Sequence, residues 1–407
     1  MARNLTASLT WLDLTSADRD KVRQILDLFK EQGTVDELGL GSLRDALSDA
    51  LFPGTSVLHT RLRYVLFIPW IYKRLEQTGS GGDVARTARS KEVELISHLA
   101  DQGNDGVIGI QARESLARLP SSVYWAALSR WGIFEPRHSL SWYHTHFDEL
   151  RRQVRRPEIS ADDPGLLLTG RHTWHPRLPP VPAGFPVGAD FSLSREESEF
   201  VQAQIRANCN GSLLGWLADH NLAEQAHKLW DVHLPPDAPS QIASTLELAR
   251  QFSLVIEGAP LLYNLMLAEK RGKTNQSEAD MAAADYYRQE FSEWLVLAKA
   301  DLQTFQPEVL WAFVVRQQAR SPEPQRRFVE RWLQCVSHGD VERALNDQGL
   351  RSLIEMRERQ LKGPKRARLA NAGRLADWSG RVGVGRMEFR WSQVRRMLMD
   401  LHEGLSH

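Results

Sequence analysis

The sequence predicts an all-α protein, and three observations predict it. Apolar residues recur at helical spacing along most of the 407-residue chain. Proline and glycine stand where those runs stop. No alternating β-branched run of strand length interrupts them. At roughly 150 residues per domain the length allows two or three domains, enough to bury a core without disulfide staples. An apolar fraction of 42% and a charged fraction of 25% are those of a globular chain.

In order along the chain, residues 17–31 place Val22, Ile25, Leu26, Leu28 and Phe29 near helical spacing behind Ser16, a good N-cap. Residues 42–51 repeat the pattern, and Phe52-Pro53-Gly54-Thr55 stops it. Helices are then expected over 57–77 and 83–102, around Glu114, through the Trp-bearing stretch after Pro120, and over 140–155. Seven prolines between Pro157 and Pro186 bar helix and favour extended chain. Ser194 and Glu197 fit a capping box opening a second helical series. That series runs over about 194–207, 211–231, 239–271, 277–304, 307–319, 322–338 and 340–361, with Pro235-Pro236, Gly272, Pro307, Pro322 and Gly339 as breakers. A last helix, 390–404, carries Trp391, Val394, Met397, Leu398 and Leu401 on one side. The organisation this implies is an N-terminal helical lobe, 1–156, a Pro-rich linker or arm, 157–189, a C-terminal helical lobe, 190–361, and a basic tail, 362–407.

The N-terminus lacks the apolar core of a secretory signal, and no apolar run approaches the length of a membrane span. Two cysteines, Cys209 and Cys335, make no disulfide framework. A cytoplasmic protein with no membrane contact is the expectation.

Charge is uneven although the chain sums to zero. Ten cations lie between Lys362 and Arg396: Lys362, Lys365, Arg366, Arg368, Arg374, Arg381, Arg386, Arg390, Arg395 and Arg396. Only Asp377 and Glu388 oppose them, which leaves +8 there and −8 elsewhere. Cations on one surface suit phosphate binding by counterion release, and Trp378, Phe389 and Trp391 among them would suit base stacking. The alternative is a basic segment that docks on an acidic surface of the same chain or of a partner. Arg61 and Arg63, two residues apart, either face a partner's phosphate or carboxylate or brace helices.

His220, Glu224, His227 and Asp231 would share one face if 211–231 is a single helix. Glu-x-x-His is the pair used in carboxylate-bridged di-iron bundles, but the second pair and the two further glutamates are missing, so a polar helix face is the competing reading. The pairs His144/His146 and His172/His175 fit no zinc spacing. Cys209 inside an apolar pattern reads as core rather than as a nucleophile. The sequence holds no Walker loop, dinucleotide fingerprint or nucleophile elbow; Val382-Gly-Val-Gly-Arg386 is too short for a phosphate loop and lacks its lysine. No cofactor is expected.

Four stretches resemble a bacterial family of unknown function: Phe52–Ile71, Ser121–Ile133, Ile256–Leu265 and Phe389–Arg396. The resemblance spans nearly the whole chain. It implies a setting rather than a chemistry, since members tend to be encoded among helicases, methylases and restriction-type genes, and it carries over no catalytic residues. The expected function is a non-catalytic, DNA- or partner-binding subunit of a multi-protein anti-phage or DNA-modification system. Its partners would be DNA, a helicase- or nuclease-type protein, or both, held through the basic tail and Arg61/Arg63. A helical metal-dependent hydrolase or nuclease using the 220–231 face, and a protein scaffold without nucleic acid, are the alternatives.

Overall fold

The computed structural model describes residues 36–79, 82–155, 172–275, 277–337 and 340–407. The helix expected over 17–31 and the first half of the Pro-rich arm, 157–171, lie outside them. Among the described residues the chain is all-α: fifteen α-helices, two short 3₁₀ turns and no named strand. A single isolated bridge joins Phe134 to Trp174. No helix among these residues is long and apolar enough to cross a membrane.

The helices are α1 (Gly41–Leu51), α2 (Tyr64–Thr78), α3 (Val84–Asp101), α4 (Pro120–Arg130), α5 (Leu140–Arg155), α6 (Arg195–Asn208), α7 (Leu213–Asp219), α8 (Ser240–Asn275), α9 (Glu278–Thr304), α10 (Pro307–Arg316), α11 (Glu323–Val336), α12 (Val341–Asn346), α13 (Gln348–Lys362), α14 (Ala372–Ala376) and α15 (Trp391–Ser406). Their starts are chemically marked. The Asp83, Ser212, Asp340, Asp347 and Asn371 side chains each accept a backbone N–H in the first turn. Ser194 and Glu197 form a complete capping box at α6. Pro120 and Pro307 open α4 and α10, where a missing N–H costs nothing.

The described chain divides into two units. One holds residues 41–257, 298–337 and 386–407; the other holds 36–40, 258–297 and 340–385. The change of unit falls inside α8 and again inside α9.

In the larger unit α2 packs on α3, α4 and α5, and α15 packs on α6 and α7. Aromatic rings fill the first group: Trp125 stacks on Tyr143 at 5.5 Å, and Tyr72, Phe134 and Trp174 meet the same pair. Indoles bury their rings and hand their N–H to a carbonyl that would otherwise be left unpaired. Trp70 donates to Pro179, Trp131 to Pro53, Trp332 to Val255 and Trp391 to Ala226. The described part of the Pro-rich segment lies against α2: Trp174, Leu178 and Phe185 are buried, and Arg74 donates to the Phe185 carbonyl.

In the smaller unit α8 and α9 approach so closely at Gly258 that a Cβ there would collide with the Trp294 ring. Asn264 is fully buried with its amide satisfied on both sides. It donates to the Pro260 and Val382 carbonyls and accepts from the Val382 N–H and the Trp378 indole. One side chain thus ties the glycine-rich stretch 378–385 to α8.

Two expected boundaries differ. Gly272 does not end its helix: α8 runs on to Asn275, because a helical glycine costs only about 1 kcal/mol, and Arg271 beside it holds Asp280 and the Trp378 carbonyl. The helix expected over 211–231 stops at Asp219. Its failure removes the shared face on which His220, Glu224, His227 and Asp231 were to lie.

Candidate functional site

The cations singled out by the sequence separate into those that build the fold and those that face solvent. Arg61 grips both oxygens of the buried Asp400 on α15, with Nε 3.0 Å from each, and lies over the Phe191 ring at 4.8 Å. Asp400 also accepts the Leu62 N–H at 2.9 Å. Arg63 reaches Glu197 at 2.8 Å and Asp190 at 2.9 Å, so the start of α2 is braced to the start of α6. Neither guanidinium presents an open face for phosphate.

The stretch 386–407, in the larger unit, is similarly tied down. Arg386 lies over the Trp230 ring and donates to Ser253 Oγ and the Arg250 carbonyl. Arg390 holds Asp49 and the Thr55 carbonyl. Arg395 donates to the Ala223 and Glu224 carbonyls. Arg396 pairs with the exposed Asp105 at 2.7 Å. Trp391 is 1% exposed, so its ring is core and has no face for a base.

In the smaller unit Lys362 and Arg368 both pair with Glu37, and Lys362 also meets Glu358. The remainder behave differently. Lys365 and Arg381 are exposed and form no side-chain ion pair among the described residues. Arg366 is exposed and donates only to the Lys362 carbonyl among the described residues. Arg374 meets Asp377 one turn away in a pair that is more than half exposed on both sides. Arg359, on the last turn of α13, is also exposed and without an ion pair among the described residues, and the sequence pattern did not single it out.

The candidate metal ligands do not converge. His220 leaves the helix with extended backbone, its ring stacked 3.9 Å from Trp216 and its Nδ1 2.9 Å from the Trp216 carbonyl. Glu224 and His227 point to solvent from the irregular stretch between α7 and the 3₁₀ turn at Leu229–Asp231, and Asp231 caps the Lys228 N–H. Among the described residues no three His, Cys, Asp or Glu side chains are placed to hold a metal. Cys209 is buried at the end of α6, where burial pushes its thiol up to about 11, well away from nucleophilic range.

A cavity of about 760 Å³ opens beside α5, and no expectation from the sequence pointed to it. His138, Trp142 and His146 form a column of stacked rings, with centroids 4.1 and 4.3 Å apart. The signal was their spacing of four, which puts Trp142 and His146 on one face of α5 with His138 just ahead of it; the pairing of His146 with His144 concealed it. Those two point to opposite sides: His144 meets the Tyr72 hydroxyl at 2.8 Å, and His146 lines the cavity.

Comparison with curated proteins and with solved structures gave no match. A family model matches residues 6–404, nearly the entire chain, in agreement with the four stretches that carried the resemblance. The chain therefore belongs to the family of unknown function DUF6361.

Proposed function

We propose that the protein is a non-catalytic subunit that binds DNA through the solvent-facing cations of its smaller unit, within a multi-protein anti-phage or DNA-modification system. The observation that carries this reading is the set Arg359, Lys365, Arg366, Arg374 and Arg381. These side chains are exposed and have no ion pair to another element among the described residues, while Lys362 and Arg368 in the same stretch are tied to Glu37. An exposed cation with no carboxylate of another element beside it among the described residues is free to exchange its counterion for a phosphate. The setting that the family resemblance implies, among helicase and restriction-type genes, supports the same reading, and a helicase- or nuclease-type protein would complete the assembly.

The test is a salt-titrated binding curve on a short duplex, a single strand and an RNA. Deleting 362–407 is the wrong variant, because it removes Asp400 from Arg61 and Trp391 from the core. Replacing the five exposed cations with glutamine is expected to leave the fold intact, since none meets a buried carboxylate among the described residues. Each phosphate that is no longer neutralised should lower the slope of log affinity against log salt by about 0.9 on duplex DNA. A wild-type chain that binds none of the three at about 50 mM salt, where phosphate interactions are strong, rejects the nucleic-acid reading and assigns the cations to a protein partner.

A further inference from the structure

We propose that the cavity beside α5 binds a linear aliphatic polyamine. Its lining includes the His138–Trp142–His146 column, and Glu135, Glu149, Gln153 and His172 add polar groups. Three features select the ligand class. Among the described residues no arginine or lysine lines the cavity, and beside the imidazoles of His138, His146 and His172 its charged groups are the two carboxylates Glu135 and Glu149. Both faces of the Trp142 ring are covered by imidazoles 4.1 and 4.3 Å away, which leaves no indole face for a nucleobase to stack on.

The third feature is a pair of carboxylates. Glu135 and Glu149 form no ion pair among the described residues; the one side-chain hydrogen bond to Glu149 there comes from Gln153 at 3.1 Å. Glu149 lies seven residues beyond Trp142, two turns or roughly 10 Å along the helix, and Glu135 lies before α5 begins. The two carboxylates therefore lie on either side of Trp142 along the chain, and both line the cavity. Ammonium groups separated by methylene stems suit that lining, with charges held at the carboxylates and stems laid along the edges of the stacked rings.

The experiment is isothermal titration calorimetry of the full chain with spermidine, putrescine and magnesium. A saturable one-site heat with spermidine is expected, weaker with the shorter putrescine. Glu135→Gln and Glu149→Gln are each expected to weaken spermidine by about tenfold, while Lys365→Gln leaves it unchanged. Both glutamates are exposed, so the variants should keep the wild-type circular dichroism spectrum. The proposal is overturned by absence of a saturable heat, by glutamine variants that retain wild-type affinity, or by magnesium competing at concentrations equal to spermidine, which would mark a diffuse counterion effect.

Discussion

Among the described residues two glutamates are wholly buried, one in each unit, and they behave in opposite ways. Glu92, on α3, is 0% exposed and among the described residues receives only the Ser121 N–H and hydroxyl, at 2.8 and 2.7 Å. Burial dominates, and its carboxyl is pushed up to about 7. Glu358, on α13, is also 0% exposed. Burial alone would raise it too, but the Tyr263 hydroxyl, the Leu369 and Arg368 amides and the Lys362 ammonium outweigh that and hold it below the usual range. Two side chains equally closed to solvent are thus a carboxyl that tends to keep its proton and a carboxylate that stays charged. Burial raises both, and the fuller set of partners around Glu358 turns the balance there. The charged one also organises the chain, because its oxygens hold the backbone at 368–369 and so set where the exposed cations around it emerge.

The largest effect should come from breaking the charged member. Glu358→Ala strips two backbone amides and a tyrosine hydroxyl of their acceptor and weakens the hold on Lys362 inside a buried network. About 3–5 kcal/mol of stability should be lost, read from denaturant midpoints. Hydrogen exchange should quicken first at Arg368 and Leu369. A loss under about 1 kcal/mol would mean that the network behaves like a surface ion pair.

Glu92→Gln should act in the other direction. The folded carboxyl titrates near 7 and the unfolded one near 4.3. Between those values the folded state holds more protons than the unfolded state, so wild-type stability falls as pH rises through that window. Glutamine carries no charge and can keep both hydrogen bonds to Ser121. The variant should lose the slope between about pH 4.5 and 7 and gain about 2–3 kcal/mol above pH 7.5. Glu358 works oppositely: with a lowered folded value its contribution is present above about 4.3 and is lost as pH falls through the folded value. Thermal unfolding from pH 4 to 8 separates the two; an unchanged slope in Glu92→Gln would place the titrating group elsewhere.

The contrast also shows what could be read from sequence. Helix starts are local chemistry, so Ser194 with Glu197 and Pro307 before an apolar run were legible. Long-range partners were not. The spacing of His220, Glu224, His227 and Asp231 suggests one helix, yet the Ala223, Glu224 and Ala226 carbonyls are held by Arg395 and Trp391, more than 160 residues away. A helix there would need some of those carbonyls for its own ladder. Arg61 and the tail cations pose the same problem. Their number and sign are visible in the sequence, but Asp400, Glu37 and Asp49 as their partners are set by tertiary contact. Only the structure separates cations that brace the fold from those left to solvent.

That separation sets the smallest stability effect. Lys365, Arg366, Arg374 and Arg381 lie on the same stretch as Lys362 and Arg368, and Arg359 lies one turn before it, yet none of the five meets a buried carboxylate among the described residues. Replacing all five with glutamine should change stability by no more than about 0.5 kcal/mol, the range of exposed side chains. Arg368→Gln alone should cost several times as much, because Glu37, 3% exposed, would lose one of its two cations while still buried. Measured side by side in low and high salt, the five-fold variant should follow wild type and Arg368→Gln should stay below both, since buried pairs are little screened. If the five-fold variant were instead the less stable protein, those cations would belong to the fold, and the surface assigned to DNA would have to be sought elsewhere.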